Sequence, residues 1–441
     1  MATKDSPAAV ATAAGGLVSR ASWILVLLFA GNLLNFFDRA IPAIVVEPLK
    51  AEFSLSDAQI GLLSTGFTVV YALFGLPLGR LADRGSRRMI LAVGLVVWSL
   101  LTLANGLAGS FLALVLVRLL LGVGEASFAP AANSLLADLY PADRRARATS
   151  LLQLGLPVGL VLAFFTVGSI TNAFGTWRAP FFLAAVPGLV IGVLLLFIRE
   201  PSRGAVDPVG TSAGRADRPF RSVLRIPTLW WLILAGIGSQ IASYSVSTFS
   251  VPLLQRYFGT SLAVGGMLTG VTVGLSGLVG LLLGGRIADR ASRWSPAARV
   301  YTGAFALLLA APLILGALLL GPEAVGLFVA LFTTGWLLQY MYYTAAYPAV
   351  ADVVEPRLRA TAVSIYFAAF YLLGGAVGPL ITGALSDRFA ASATGLSGPQ
   401  AAAHGLHLSL LIVIPLAVLL TSVGLFGAAR HVTRDNLRMR T

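Results

Sequence analysis

GRLADRGSRR (79–88) returns 206 residues later as GRIADRASRW (285–294), and this repetition decides how the chain is folded. Each copy follows an apolar stretch long enough to cross about 30 Å of hydrocarbon. A second echo joins ADLYPADRRARATS (137–150) to ADVVEPRLRATAVS (351–364). Two echoes in the same order, both more than two hundred residues apart, mark a duplicated unit.

Outward from these loops, apolar stretches recur at 22–46, 59–82, 89–107, 111–136, 148–172 and 179–198. Six more follow at 229–254, 261–285, 299–320, 324–350, 361–386 and 406–429. Twelve membrane spans are therefore predicted. Gly and Pro within them (Pro157, Pro187, Gly374, Gly375, Pro379) are tolerable because neighbouring helices re-satisfy freed backbone groups. The first span follows a small-residue leader, and no A-x-A-like site follows its apolar run, so it is expected to be an uncleaved helix.

Composition agrees. Of 441 residues, 57% are hydrophobic and only 11% charged, against the usual charged quarter of a soluble domain; the mean hydropathy is +0.86. There is no cysteine, so disulfides, thiolate metal sites and cysteine nucleophiles are excluded. His404, His407 and His431 have no ligand-set spacing, so no metal and no cofactor are expected. No Ser/His, paired-Asp or HExxH arrangement suggests an intramembrane enzyme.

The net charge of +13 is explained by topology rather than by nucleic acid. Twenty-five basic residues fall on the side that carries both termini, against Lys50, Arg178, Arg256 and Arg388 on the other. That bias predicts cytoplasmic termini. The one extended polar linker, 199–227, separates an N-terminal bundle (1–198) from a C-terminal bundle (228–441). With six spans per half, both repeats face the same side. The predicted fold is all-α: two parallel, pseudo-symmetric six-helix bundles with a cavity between them, the arrangement of the major facilitator fold.

Only two of eighteen acids, Asp38 and Glu125, lie well inside a span; Asp138, Asp289, Asp352 and Asp387 lie at span ends. The remaining two basic residues, Arg39 and Arg118, are also within spans of the N-terminal half. A charge at the centre of a spanning helix costs on the order of 3 kcal/mol on insertion scales, so these four are functional candidates. Arg118 and Glu125, seven positions apart in RLLLGVGEAS (118–127), share one helix face. Asp38 and Arg39 point about 100° apart and are poorly placed to pair with each other. Pairing across helices is expected instead, Asp38 near Arg118 or Arg39 near Glu125; the alternative is a static pair that only fixes packing. A carboxylate in a low-dielectric cavity takes up a proton more readily than one in water, which makes Asp38 and Glu125 the proton-coupling candidates.

The C-terminal half offers uncharged polar and aromatic residues: Ser239, Gln240, Ser243, Tyr244 and Ser247 on the seventh span, and Gln339, Tyr340, Tyr343 and Tyr347 on the tenth. Gln240, Tyr340 and Tyr343 are candidate substrate contacts beside Arg39 and Arg118, although the tyrosines serve packing equally well.

GRLADRGSRR resembles the signature loop between helices two and three of the major facilitator superfamily. The resemblance implies a conformational latch of Gly79, Asp83, Arg84, Arg87 and Arg88, with Gly79 allowing close helix approach. Ser86 stands where the pattern carries glycine, and Gly85 is one position early, so a different local turn is expected.

Three stretches together resemble the Spinster family of lysolipid and sphingolipid-phosphate transporters: NFFDRAIPA (35–43), RLLLGVGEASFAPAANSLLADLYP (118–141) and REPSRG (199–204). The family's helix-one acid and arginine map to Asp38 and Arg39, and its helix-four arginine and glutamate to Arg118 and Glu125. Phe36 and Phe37 depart from the family's frequent tyrosine and methionine and are expected to leave the ionisable groups untouched.

The resemblance implies a proton-coupled transporter of an amphiphilic lysophospholipid-like lipid, working by alternating access. Organic-anion or small-metabolite symporters and multidrug exporters of the same superfamily are the competing readings; organic-anion transporters also carry N-x-x-D-R on helix one. A channel is disfavoured by the paired latch loops, and a non-transporting sensor would usually carry an appended soluble domain. Arg-rich, Lys-poor usage suggests a bacterial inner membrane. The expected partners are the substrate, protons and the bilayer, with the protein a monomer.

Overall fold

The structure, a computed structural model, describes residues 7–202, 219–355 and 358–438. Twelve helices there are long and apolar enough to cross a membrane: TM1 Ala21–Ile44, TM2 Asp57–Ala82, TM3 Arg87–Leu107, TM4 Phe111–Leu139, TM5 Arg147–Phe174 and TM6 Ala179–Leu196. The second set is TM7 Pro227–Arg256, TM8 Leu262–Ser292, TM9 Pro296–Leu318, TM10 Pro322–Asp352, TM11 Thr361–Ser392 and TM12 Gly398–Arg438. No strand occurs among the described residues. Below, the face carrying the chain ends is called proximal and the opposite face distal.

Local chemistry sets the helix ends. Ser56 opens TM2 with a reciprocal capping box: its hydroxyl accepts from Gln59 N at 3.2 Å, and Gln59 Oε1 accepts from Ser56 N at 2.8 Å. Ser110, Ser261 and Ser295 cap TM4, TM8 and TM9 by accepting from the amide three residues on. TM4 and TM10, which correspond in the two halves, both break in mid-span, at Ser127 and Tyr340. TM8 and TM11 each contain a π turn, Gly270–Leu275 and Tyr371–Gly375.

TM12 is far longer than its apolar stretch, because its last turns pack by polar contacts. Asp435, 5% exposed, accepts from Thr228 N at 3.2 Å and Thr228 Oγ1 at 2.6 Å, capping the start of TM7. The expected linker is helical at its end, Pro219–Leu224, whereas 203–218 lie outside the described residues.

The two halves join from mid-span to the distal face. TM2 crosses TM11 so closely that a Cβ on Gly61 would lie 2.8 Å from Pro379 C, and TM5 crosses TM8 so that one on Gly168 would lie 2.9 Å from Ala263 Cα. Only glycine fits such crossings. The apolar core follows this asymmetry. Distal residues of the N-terminal half, such as Ile41, Ile44, Leu63 and Val167, belong to one cluster with the C-terminal half. Its proximal residues, such as Leu28, Leu91, Leu95 and Leu135, form a separate cluster.

Candidate functional site

TM1 delivers Asp38 and Arg39 in different directions, as adjacent helical positions must. Asp38, 2% exposed, turns toward TM3, where its Oδ2 accepts from Thr102 Oγ1 at 3.0 Å. Arg39 turns toward TM4, and its Nε donates to Glu125 Oε2 at 2.6 Å. Of the two cross-helix pairings expected, Arg39 with Glu125 is the one that forms. Glu125 is 1% exposed, so the pair is desolvated on the carboxylate side.

Arg39 is also enclosed by rings. Its Cζ lies 4.1 Å from the Tyr71 ring centroid, 5.0 Å from Phe36 and 5.1 Å from Phe67. Each such cation–π contact contributes about 0.5–2 kcal/mol. The expectation that Phe36 leaves the ionisable groups untouched is thus corrected: its ring is part of the arginine's enclosure. Arg118 shares Glu125's helix face yet does not hold it. Among the described residues no hydrogen bond or ion pair reaches its guanidinium; its Cζ stands 5.4 Å from the Phe67 ring.

The C-terminal half presents an aromatic wall. Tyr343 OH donates to Gln240 Oε1 at 3.1 Å, and Gln339 Nε2 donates to Ser239 Oγ at 3.0 Å. Tyr340 instead packs between TM8 and TM10, against Gly277 and Gly280, with its OH on Val273 O at 3.3 Å. In this conformation its ring is therefore a packing element. Tyr347 lies 5.4 Å from both Tyr343 and Phe367, and Tyr371 stands edge-on to Tyr244 at 6.3 Å. Sequence reading missed the TM11 share of this wall, although the stretch Tyr366–Phe367–Phe370–Tyr371 repeats at helical spacing. It also missed Tyr71, Phe67 and Thr102.

The latch residues of the TM2–TM3 loop divide. Arg87, 1% exposed, donates from Nε to Glu200 Oε1 at 2.8 Å and from Nη2 to Pro201 O at 2.9 Å, and it pairs with Asp138. Burial by itself would raise the Glu200 carboxyl, but hydrogen bonds from Ser86, the Arg87 guanidinium and the Arg87 and Arg88 amides hold it at about 2. Ser86 is therefore more than a substitute for glycine, since it caps TM3 and donates to Glu200 Oε2 at 2.6 Å. Arg88 reaches Ile198 O at 3.4 Å, while Arg84 is exposed. A Cβ on Gly79 would meet Pro130 at 3.8 Å, an ordinary contact, so no tight crossing occurs there in this conformation. The Asp83 side chain lies outside the described residues. In the second half Arg299 and Asp352 repeat the pairing of Arg87 and Asp138.

A second cluster, unforeseen in the sequence, ties the halves together on the distal face. Asp57 receives Arg256 in a two-pronged pair at 2.7 and 2.9 Å, Lys50 Nζ at 2.5 Å and Ser386 Oγ at 2.6 Å. Arg256 Nε also donates to Glu47 Oε1 at 2.8 Å. Asp387 caps TM2 from the other half, accepting from Asp57 N at 2.9 Å and Ala58 N at 2.8 Å. The available signal was that Lys50 and Arg256 are two of the four basic residues on a face otherwise poor in them.

The sequence profile of the Major Facilitator Superfamily matches residues 28–379. An MFS-type efflux pump of Mycolicibacterium smegmatis is 30% identical over 94% of both chains. Protein spinster homolog 1 of Mus musculus is 30% identical over 83% of this chain and 73% of its own. Among solved structures, a bacterial homologue of the human lysosomal transporter Spinster, in an inward-facing and unoccupied conformation, superimposes with a TM-score of 0.85 at 29% identity. That superposition covers 94% of this chain and 98% of the other.

Proposed function

This chain belongs to the major facilitator superfamily and, within it, to the Spinster family, and on that premise we propose that it is a proton-coupled carrier of an amphiphilic anionic or zwitterionic lipid of the lysophospholipid type. That it is a membrane transporter follows from the family. The finer reading rests chiefly on one observation, the pair of Arg39 and Glu125 at 2.6 Å beside an uncharged aromatic wall.

While Glu125 is ionised it holds Arg39, and an anionic headgroup must compete for that guanidinium. When Glu125 takes a proton, Arg39 is released toward the headgroup, with Arg118 nearby as a second cation. Proton and substrate are then coupled through one arginine. The apolar tail lies along Tyr347, Phe367 and Tyr371. Asp38 acts as a second proton carrier behind Glu125. A membrane potential adds about 2.3 kcal/mol per charge per 100 mV to such a cycle.

The excess of basic residues supports a cytoplasmic proximal face, and the Arg-rich, Lys-poor usage supports a bacterial inner membrane. The distal cluster around Asp57 then belongs to the inward-facing state and must break for the outward-facing one. The Asp83 loop is the opposing latch, engaged when the cytoplasmic side closes. Similarity to a mycobacterial efflux pump favours a second reading in which the same coupling exports xenobiotic amphiphiles. Uptake and counterflow in proteoliposomes, with lysolipids, organic anions and sugars, each with and without a pH gradient, test the proposal. Gradient-driven movement of lysolipid supports it; movement of only the others refutes it.

A further inference from the structure

On the distal side of the Arg39–Glu125 pair lies a cavity of about 20 Å³, lined by Arg39, Arg118, Ser64 and Thr248 together with Pro42, Ala43, Leu49, Ile60 and Leu63. Its polar lining contains no carboxylate. Ser64 and Thr248 hydrogen-bond to each other at 3.1 Å. One hydroxyl proton serves that bond, so the pair retains a second O–H to donate. Arg118 is 5% exposed, its Nε is buried without a partner, and Arg39 Nη2 is buried without one too. Glu125 is engaged by Arg39 and Asp38 by Thr102, so neither acid neutralises Arg118 at contact distance.

A buried guanidinium with no carboxylate at contact distance is incompletely compensated, and every polar group facing this cavity is a donor or offers one. The volume suits one water-sized occupant and is too small for a phosphate-bearing headgroup. We propose that the cavity is a binding site for a small inorganic anion, of chloride size, held between Arg39, Arg118 and the Ser64–Thr248 hydroxyls. Because Ser64 belongs to TM2 and Thr248 to TM7, the bound anion bridges the halves and favours the distal-closed conformation. The inference stands whether or not the lipid reading above is right.

The test is thermal unfolding of the purified full-length protein in sodium chloride, bromide or gluconate at one ionic strength, without added lipid. Chloride and bromide should raise the midpoint by a few degrees over gluconate, which is too large to enter. Arg118→Gln should abolish the difference; Thr248→Val, which keeps the shape and removes a donor, should weaken it, and serves as well if the arginine variant does not fold. Equal midpoints in the three salts, or an undiminished difference in the variants, would overturn the proposal.

Discussion

Arg39 and Glu125 meet across the boundary of TM1 and TM4 at 2.6 Å, whereas Arg118, seven residues before Glu125 on its own helix, touches no acid. The cation that Glu125 controls is therefore the one on TM1.

Glu125→Gln and Asp38→Asn each keep shape and remove an ionisable site. Both variants are expected to fold and to lose proton-driven accumulation in proteoliposomes. Wild-type response to a pH gradient in both would contradict their role.

Arg39→Lys retains the charge but loses the planar group stacked on Tyr71 and the Nε–H that reaches Glu125. Substrate affinity is expected to fall about tenfold, the equivalent of about 1.4 kcal/mol, with little change in unfolding temperature. Binding measured by fluorescence or calorimetry checks this.

The two faces of the molecule should respond oppositely. Asp57→Asn removes the acid that gathers Arg256, Lys50 and Ser386, and should shift the population toward distal opening. Asp83→Ala should shift it toward proximal opening. A latch worth about 1–3 kcal/mol changes such a population roughly 5- to 150-fold. Distances between paired spin labels on each face provide the readout.

Glu200 gives a pH signature. Its carboxyl is held at about 2 in the folded protein, below its ordinary value of 4.5. The stability it contributes is therefore complete above about pH 4.5 and is lost as pH falls toward 2. Glu200→Gln should lower stability at neutral pH by on the order of 1 kcal/mol after solvent screening, and should flatten the acid limb of the unfolding profile.

Much of this was legible in the sequence, for physical reasons. Apolar length sets the spans, the repeat sets the parallel halves, and the insertion cost of charge singles out Asp38, Arg39, Arg118 and Glu125. What was illegible depends on partners distant in the chain. Arg256 finds Asp57 across 199 positions, and nothing local to either residue marks the other. Glu200 stands within the REPSRG stretch, but its contacts arise only when that turn folds under the start of TM3. The aromatic wall likewise needs TM10 beside TM11. The length of TM12 escaped because hydropathy is blind to polar turns that pack.

The most direct test of the coupling through Arg39 is substrate affinity measured against pH in the wild-type protein and in Glu125→Gln. Affinity for an anionic or zwitterionic lysolipid should rise as pH falls and Glu125 takes a proton, and the variant should bind tightly at every pH. A wild-type affinity independent of pH, or a variant that keeps the wild-type dependence, would reduce the Arg39–Glu125 pair to a buried contact that only fixes TM1 against TM4.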